Sequence, residues 1–314
     1  MVGAVRTEGG PVPVRSVAVQ YLALAAVWGS SFLFVEVALE GLSAVQVVLG
    51  RLLAGALTLL VVLVWRGQRL PREPVVWGHL AVVAVLLCVA PFLLFAWAQE
   101  HVSSGLASIY NATTPLMTML VTLAALRQER PTPSRLTGLV TGFLGVAVVL
   151  APWRGVEGGG LLAQAACLAA TACYGVAFVH LRRFVTPRGL GAVPVATVQV
   201  GLGAATMLLA APWTAAQPVD LTPAVVGAVA ALGMLGTGLA YVWNTNVVAG
   251  WGATTASTVT YLTPLVGVVL GVVVLAETPS WNQPLGALLV VLGIAVGQDR
   301  LAPLARRLTG RLVR

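Results

Sequence analysis

From residue 17 to residue 297 the chain is a succession of apolar runs, separated by short gaps that hold most of its charge. A helix needs about 20 apolar residues to cover the hydrocarbon core of a bilayer. Ten segments meet or approach that length: 17–39, 45–65, 75–97, 104–126, 136–151, 161–180, 190–211, 223–246, 252–276 and 284–297, the fifth and tenth being short. Backbone groups in lipid must be bonded within the spanning structure, so segments of this length are helices. Composition agrees: 58% of residues are hydrophobic, 9% are charged and the mean hydropathy is +0.93. A soluble domain is about a quarter charged, and one this apolar could not cover its own core. The short linkers leave no room for a soluble domain.

The +8 net charge comes from arginine alone, spread over short loops. That is the pattern of an oriented membrane protein and not of a nucleic-acid surface. Sixteen of the eighteen arginines fall on one set of segment ends, Arg154 lies on the other set, and Arg51 lies inside a segment. Both termini are therefore expected in the cytoplasm, with the chain multi-pass in the cell inner (plasma) membrane. Glu40, Glu100, Glu157, Asp220 and Glu277 then fall outside. Trp65, Trp77 and Trp251 mark one interface, and Trp97, Trp153, Trp213 and Trp281 the other. The first segment follows Arg15 but is too long for a signal-peptide core, and more spans follow at once. Cys88, Cys167 and Cys173 sit in apolar runs without metal spacing and read as reduced packing residues.

The chain is also written twice. "SIYNATTPLMTML" (108–120) returns as "STVTYLTPLVGVV" (257–269), with Ser and then Thr-Pro-Leu at the same places. "VWGSSF" (27–32) returns as "CYGVAF" (173–178), and "FAW" (95–97) as "YVW" (241–243). "LTGLVTGFLGVAV" (136–148) returns as "PLGALLVVLGIAV" (284–296). The echo sets five segments against five. Five is odd, so the second copy enters the membrane from the side opposite to the first. The expected fold is an all-α integral membrane protein with ten transmembrane helices in two inverted-topology five-helix repeats. Repeats of that kind enclose a site at mid-depth that opens to either side as one rocks on the other. The expected division is a segment 1–16, a first repeat 17–151, a linker 152–160, a second repeat 161–297 and a basic tail 298–314.

Pro115 and Pro264 fall in the repeated stretch, where each removes a backbone donor at mid-membrane. The freed carbonyls need protein or water partners. Ser108, Asn111, Thr113 and Thr114 in one copy, and Ser257, Thr258, Thr260, Tyr261 and Thr263 in the other, are candidates. Two kinked polar helices lining one cavity is the functional expectation; local back-bonding at a proline kink is the plain alternative.

These stretches, with "AVWGSSF", "GRLLAG" and "GATTASTVTYLTPLVGVVLGVVVLAETP", resemble the EamA-type repeat of the drug/metabolite transporter superfamily over about 17–297. The resemblance implies ten helices in two inverted repeats and export or exchange of small metabolites, often amino acids or drugs. It names no substrate. Glu129 and Glu277 occupy its acidic position before the fifth and tenth segments, where a cap or anchor for the turn is expected. Gln199 stands in the second copy where Arg51 stands in the first, a departure from the pattern.

Arg51 lies six residues into its segment, roughly 9 Å deep. An arginine there needs an anionic partner or a watery path. It is expected either to hold an anionic group of the cargo, or else to pair with Glu36 or snorkel to the surface; Glu36 is also the candidate proton carrier. Trp28, Tyr174, Gln199, Tyr241 and Trp243 are candidates for an aromatic and polar lining, against a plain packing role. Glu100 and His101 read as interfacial, with a proton relay at the outer mouth the alternative, and His79 and His180 read as interfacial. "GMLGTG" (233–238) superficially resembles a phosphate loop but follows no strand and reads as close helix packing.

The substrate-binding set is therefore Arg51, Trp28, Ser108, Asn111, Thr114, Pro115, Tyr174, Gln199, Tyr241, Trp243, Ser257, Tyr261 and Pro264. No cofactor, catalytic group or metal is expected. The expected partners are a small molecule and the lipid bilayer, with proton coupling open through Glu36. A secondary transporter is the leading function, a flippase for a lipid-linked carrier the alternative, and an intramembrane enzyme a remote one because no nucleophile, base or metal set shares one depth.

Overall fold

The computed structural model describes residues 14–125, 132–150, 160–214, 216–251 and 259–297. Helices account for nearly all of them, and no strand occurs among them. The first half holds α1 (Val14–Leu39), α2 (Ala44–Trp65), α3 (Pro74–Gln99), α4 (Ser104–Asn111), α5 (Thr114–Ala125) and α6 (Pro133–Leu150). The second half holds α7 (Gly160–His180), α8 (Ala192–Thr214), α9 (223–251), α10 (Val259–Leu275) and α11 (Asn282–Gly297). Six of these rods are long and apolar enough to cross a membrane, and 136–149, 262–275 and 282–293 are shorter apolar helices. Their outer surfaces are greasy: Leu209 and Val273 are 74% and 75% exposed. In water such a mantle would drive aggregation; in lipid it is the solvated face.

Local chemistry sets the ends. Ser43 and Gln46 form a capping box at the start of α2, each side chain bonding the other's backbone N–H. The fourth segment divides at Ala112–Thr113, just before Pro115. Proline denies the Asn111 carbonyl its helical partner, and the Thr114 hydroxyl donates to that carbonyl at 2.7 Å instead. Thr113 likewise bonds Tyr110 O at 2.8 Å.

The two halves interlock instead of lying side by side. α1 packs on α9 and α10, while α7 packs on α3, α4 and α5. α2 packs on α9 as α3 packs on α8. The pairs α2–α8, α4–α10 and α6–α11 map onto themselves when the halves are exchanged. The equivalent helices α6 and α11 run antiparallel. A methyl group on Gly145 would lie 2.7 Å from Val290 N and 2.8 Å from Gly286 O, whereas Gly293 lies against Gly138 and Gly142. Paired small residues let these backbones touch, the usual way membrane helices gain dispersion contact.

One feature recurs in both halves at equivalent depth. α3 widens to π-helical bonding over Ala84–Val89 and α9 over Ala231–Leu239. The N–H of Ala90 reaches Val85 O and that of Ala240 reaches Leu235 O, five residues back in each case. Such insertions concentrate at functional positions.

Candidate binding cavity

The interlocked halves leave a chamber of about 210 Å³ between them. α1 contributes Trp28, Ser31, Phe32 and Val35; α2 contributes Arg51; α3 contributes Leu87, Phe92, Phe95 and Gln99. Asn111 and Thr114 come from the break between α4 and α5. The second half adds Tyr174 and Phe178 from α7, Gly236, Tyr241 and Asn244 from α9, and Thr263 from α10. Seven lining residues are aromatic, and they brace one another: Phe32 meets Phe95 edge-on at 5.6 Å, and Tyr174 stacks on Phe95 at 6.3 Å.

The π-helical stretches place the polar groups. The Trp28 indole N–H donates to Gly236 O at 3.2 Å, across the two halves. Arg51 Nε donates to Thr237 Oγ1 at 3.0 Å, and the guanidinium carbon lies 3.8 Å from the centre of the Phe92 ring. Among the described residues no carboxylate joins Arg51. Glu36 instead accepts from Gln99 Nε2 at 3.3 Å, and the same nitrogen donates to Phe32 O at 2.8 Å. Glu36 is thus set behind Gln99, one residue removed from the wall, and the alternative of an Arg51–Glu36 pair does not form.

Of the residues expected to line a cavity, Trp28, Arg51, Asn111, Thr114, Tyr174 and Tyr241 do so. Ser108 is fully buried against Gly267 and donates to Gly105 O at 2.7 Å, so it packs α4 on α10. Pro115 breaks the helix without lining the chamber, and Pro264 is buried in α10 beside the lining residue Thr263. Trp243 is half-buried on α9 away from the wall. Gln199 is buried on α8, also away from the wall, and its side-chain nitrogen has no hydrogen-bond partner among the described residues. Ser257 and the Tyr261 side chain lie outside the described residues, as does Glu129. Glu277 anchors its turn to a helix of the opposite half. It crosses to the first half, where Oε1 accepts from Ser104 N at 2.7 Å and Ser104 Oγ at 2.6 Å, and Oε2 from Gly105 N at 3.0 Å.

Sequence reasoning missed Phe92, Gln99 and Thr237. Thr237 lies in the "GMLGTG" run, where close packing holds: a methyl group on Gly233 would lie 2.8 Å from Arg51 O. The hydroxyl within that glycine run was the available signal. His79 and His180, read as separate interfacial residues, meet at 3.2 Å between α3 and α7. All three cysteines are free thiols, with Cys88 and Cys167 buried.

The fold and chamber define a polytopic α-helical membrane protein with an internal chamber lined from both halves. The chain belongs to the EamA-like transporter family, whose model matches residues 16–151 and again residues 161–296. It is 25% identical over 284 residues to the uncharacterized inner membrane transporter YedA of Escherichia coli (strain K12), covering 87% of this chain and 88% of that protein. It is 24% identical to the uncharacterized transporter YdfC of Bacillus subtilis (strain 168), over 85% and 86% of the two chains. A 113-residue stretch is 31% identical to a riboflavin transporter of Brucella anthropi, covering 36% of this chain and 39% of that protein. One solved crystal structure superposes with a TM-score of 0.63 at 20% identity, over 90% of this chain and 97% of that one, a likeness of fold.

Proposed function

We propose that this protein is a secondary transporter that exports or exchanges a small metabolite carrying an anionic group on an aromatic or otherwise apolar body. One observation carries the reading: Arg51 sits in the wall of an aromatic chamber with no acidic partner among the described residues. Burying an unpaired guanidinium costs several kcal/mol, and an anionic ligand offsets that cost. A chamber of about 210 Å³ suits a molecule the size of one amino acid or a bicyclic ring. The aromatic lining favours a flat or apolar body, consistent with a planar cargo for the relative named as a riboflavin transporter.

Alternating access is supported by the exchange-symmetric packing. A cleft between equivalent halves opens to one side or the other when they rock. With the arginine-rich ends cytoplasmic, the Glu277 contact with α4 lies on the outer side and the His79–His180 contact on the inner side. Glu36, one side chain behind the wall, is the candidate proton carrier. Its replacement by Gln would abolish drive by a proton gradient while leaving exchange between equal cargo pools.

The test is a metabolite profile of medium and cytosol from cells expressing the intact chain, Arg51→Gln or empty vector. One class of anionic or zwitterionic metabolite accumulating outside only with the intact chain is the expected result. Equal profiles for Arg51→Gln and the intact chain, at matched membrane levels, would remove Arg51 from the mechanism. A change confined to lipid-linked carriers would replace the reading with the flippase.

A further inference from the structure

The structure assigns Thr237 a role as the positioning residue that turns Arg51 into an end-on fork for a two-oxygen anion; this rests on the reading of Arg51 as the anion holder. Thr237 touches no part of the chamber. It is fully buried within the π-helical stretch of α9. Arginine has only donors, so Thr237 Oγ1 must accept from Arg51 Nε at 3.0 Å. The hydroxyl proton goes to Leu232 O, 3.1 Å away and five residues back, a reach matched to π-helical geometry. The methyl group is held as well: a Cβ on Gly55 would lie 2.8 Å from Thr237 Cγ2. The oxygen facing Arg51 therefore has one orientation.

The consequence for Arg51 is geometric. A free guanidinium can grip a carboxylate along its Nε–Nη side or across its two Nη groups. Here Nε is taken by Thr237 and one face is covered by Phe92. The four Nη–H donors have no hydrogen-bond partner among the described residues, and Arg51 lines the chamber. A carboxylate can then be held bidentately only end-on, by Nη1 and Nη2, in the plane that Thr237 and Phe92 impose. A cargo lacking the second oxygen, such as the corresponding amide, loses one of the two bonds. Thr237 is thereby a determinant of anion over amide although it never meets the cargo. Lysine at position 51 offers neither the Nε contact nor the planar fork.

The test uses the whole protein in lipid nanodiscs with two probes of one shape, phenylacetate and phenylacetamide. Arginine 15N NMR reads the Nε–H of Arg51, identified by its loss in Arg51→Lys. In the wild-type protein that proton is expected to exchange slowly; in Thr237→Val, which keeps the shape and loses the hydroxyl, it is expected to exchange fast, with Thr237→Ser restoring it. Affinity for phenylacetate should fall about tenfold in Thr237→Val, while that for phenylacetamide stays within about twofold. A protected Nε–H in Thr237→Val, or equal weakening of both probes, overturns the assignment. If wild-type protein shows no preference for phenylacetate and Arg51→Lys changes nothing, the anion reading falls, and the Nε–H signal still reports separately on the Thr237 contact.

Discussion

At the scale of single residues, the chamber is a study in which polar groups are held and which are left open. Thr114 gives its proton to the carbonyl that Pro115 strands, so the break in the fourth segment is closed by its own side chain. Gln99 spends both amide hydrogens on Phe32 O and Glu36. Among the described residues Arg51 keeps four donors in hand, more than the side-chain amides of Asn111 and Asn244 beside it in the wall. Arg51→Lys should therefore fail almost as badly as Arg51→Gln, with cargo affinity down at least tenfold, because an ammonium cannot satisfy Thr237 and grip two oxygens together. Binding measured on purified protein checks this, and full affinity in Arg51→Lys would show that charge alone suffices. Phe92→Leu should cost less, about 1 kcal/mol, since it removes the ring face and leaves the Thr237 contact.

At the scale of elements, the same close approach is made twice, once by each half. A methyl group on Gly29 of α1 would lie 2.5 Å from Val266 Cβ and 2.8 Å from Thr263 O on α10. The equivalent Gly175 of α7 would meet Met117 C and Thr118 N on α5, each at 2.9 Å. Each glycine lets the proline-bearing helix of the other half lie flush beside the chamber. Gly29→Ala and Gly175→Ala should each destabilise the protein by roughly 1–3 kcal/mol through overpacking. Gly201→Ala and Gly227→Ala face open space and should be neutral or stabilising by up to about 1 kcal/mol from helix propensity. Thermal unfolding of the four variants in one detergent reads the sign, and a common sign would refute the packing argument. The echo of "WGSSF" in "YGVAF" was legible in the sequence, and so was the proline pair. The π-helical stretches were not. Insertion of one residue into a turn rotates everything beyond it by about 100°, which no apolar periodicity announces when every face of the segment is apolar.

At the scale of the whole molecule, contacts between the halves occur at both ends of the bundle. Glu277 ties the turn before α11 to the start of α4 by three hydrogen bonds. Gln46 bonds Gln217 O at 2.8 Å at the same end. His79–His180 and the 3.8 Å Glu73–Arg188 pair join the halves at the other end. Rocking requires these sets to separate in turn. Glu277→Gln should lower stability by roughly 2 kcal/mol, because its one remaining acceptor oxygen makes ordinary bonds and its NH2 group cannot accept where the second carboxylate oxygen did. A cysteine pair at 79 and 180, in a chain whose native cysteines are replaced, should stop transport when joined by a short thiol cross-linker and recover on reduction. Full transport by the cross-linked protein would rule out opening at that end.

The sequence by itself determined the solvent, the helical content and the duplication. Hydropathy and repetition are properties of a segment read alone, and lipid admits few alternatives for a segment of that kind. It also picked Arg51, Trp28, Asn111, Thr114, Tyr174 and Tyr241 out of the apolar background. Only the tertiary structure decided that Ser108 packs while Asn111 faces the chamber, that Arg51 meets Thr237 and Phe92 and not Glu36, and that Glu277 caps a helix of the opposite half. Those outcomes depend on how helices from two halves rotate and cross, and contacts between residues 173 or 186 positions apart leave no trace in local pattern.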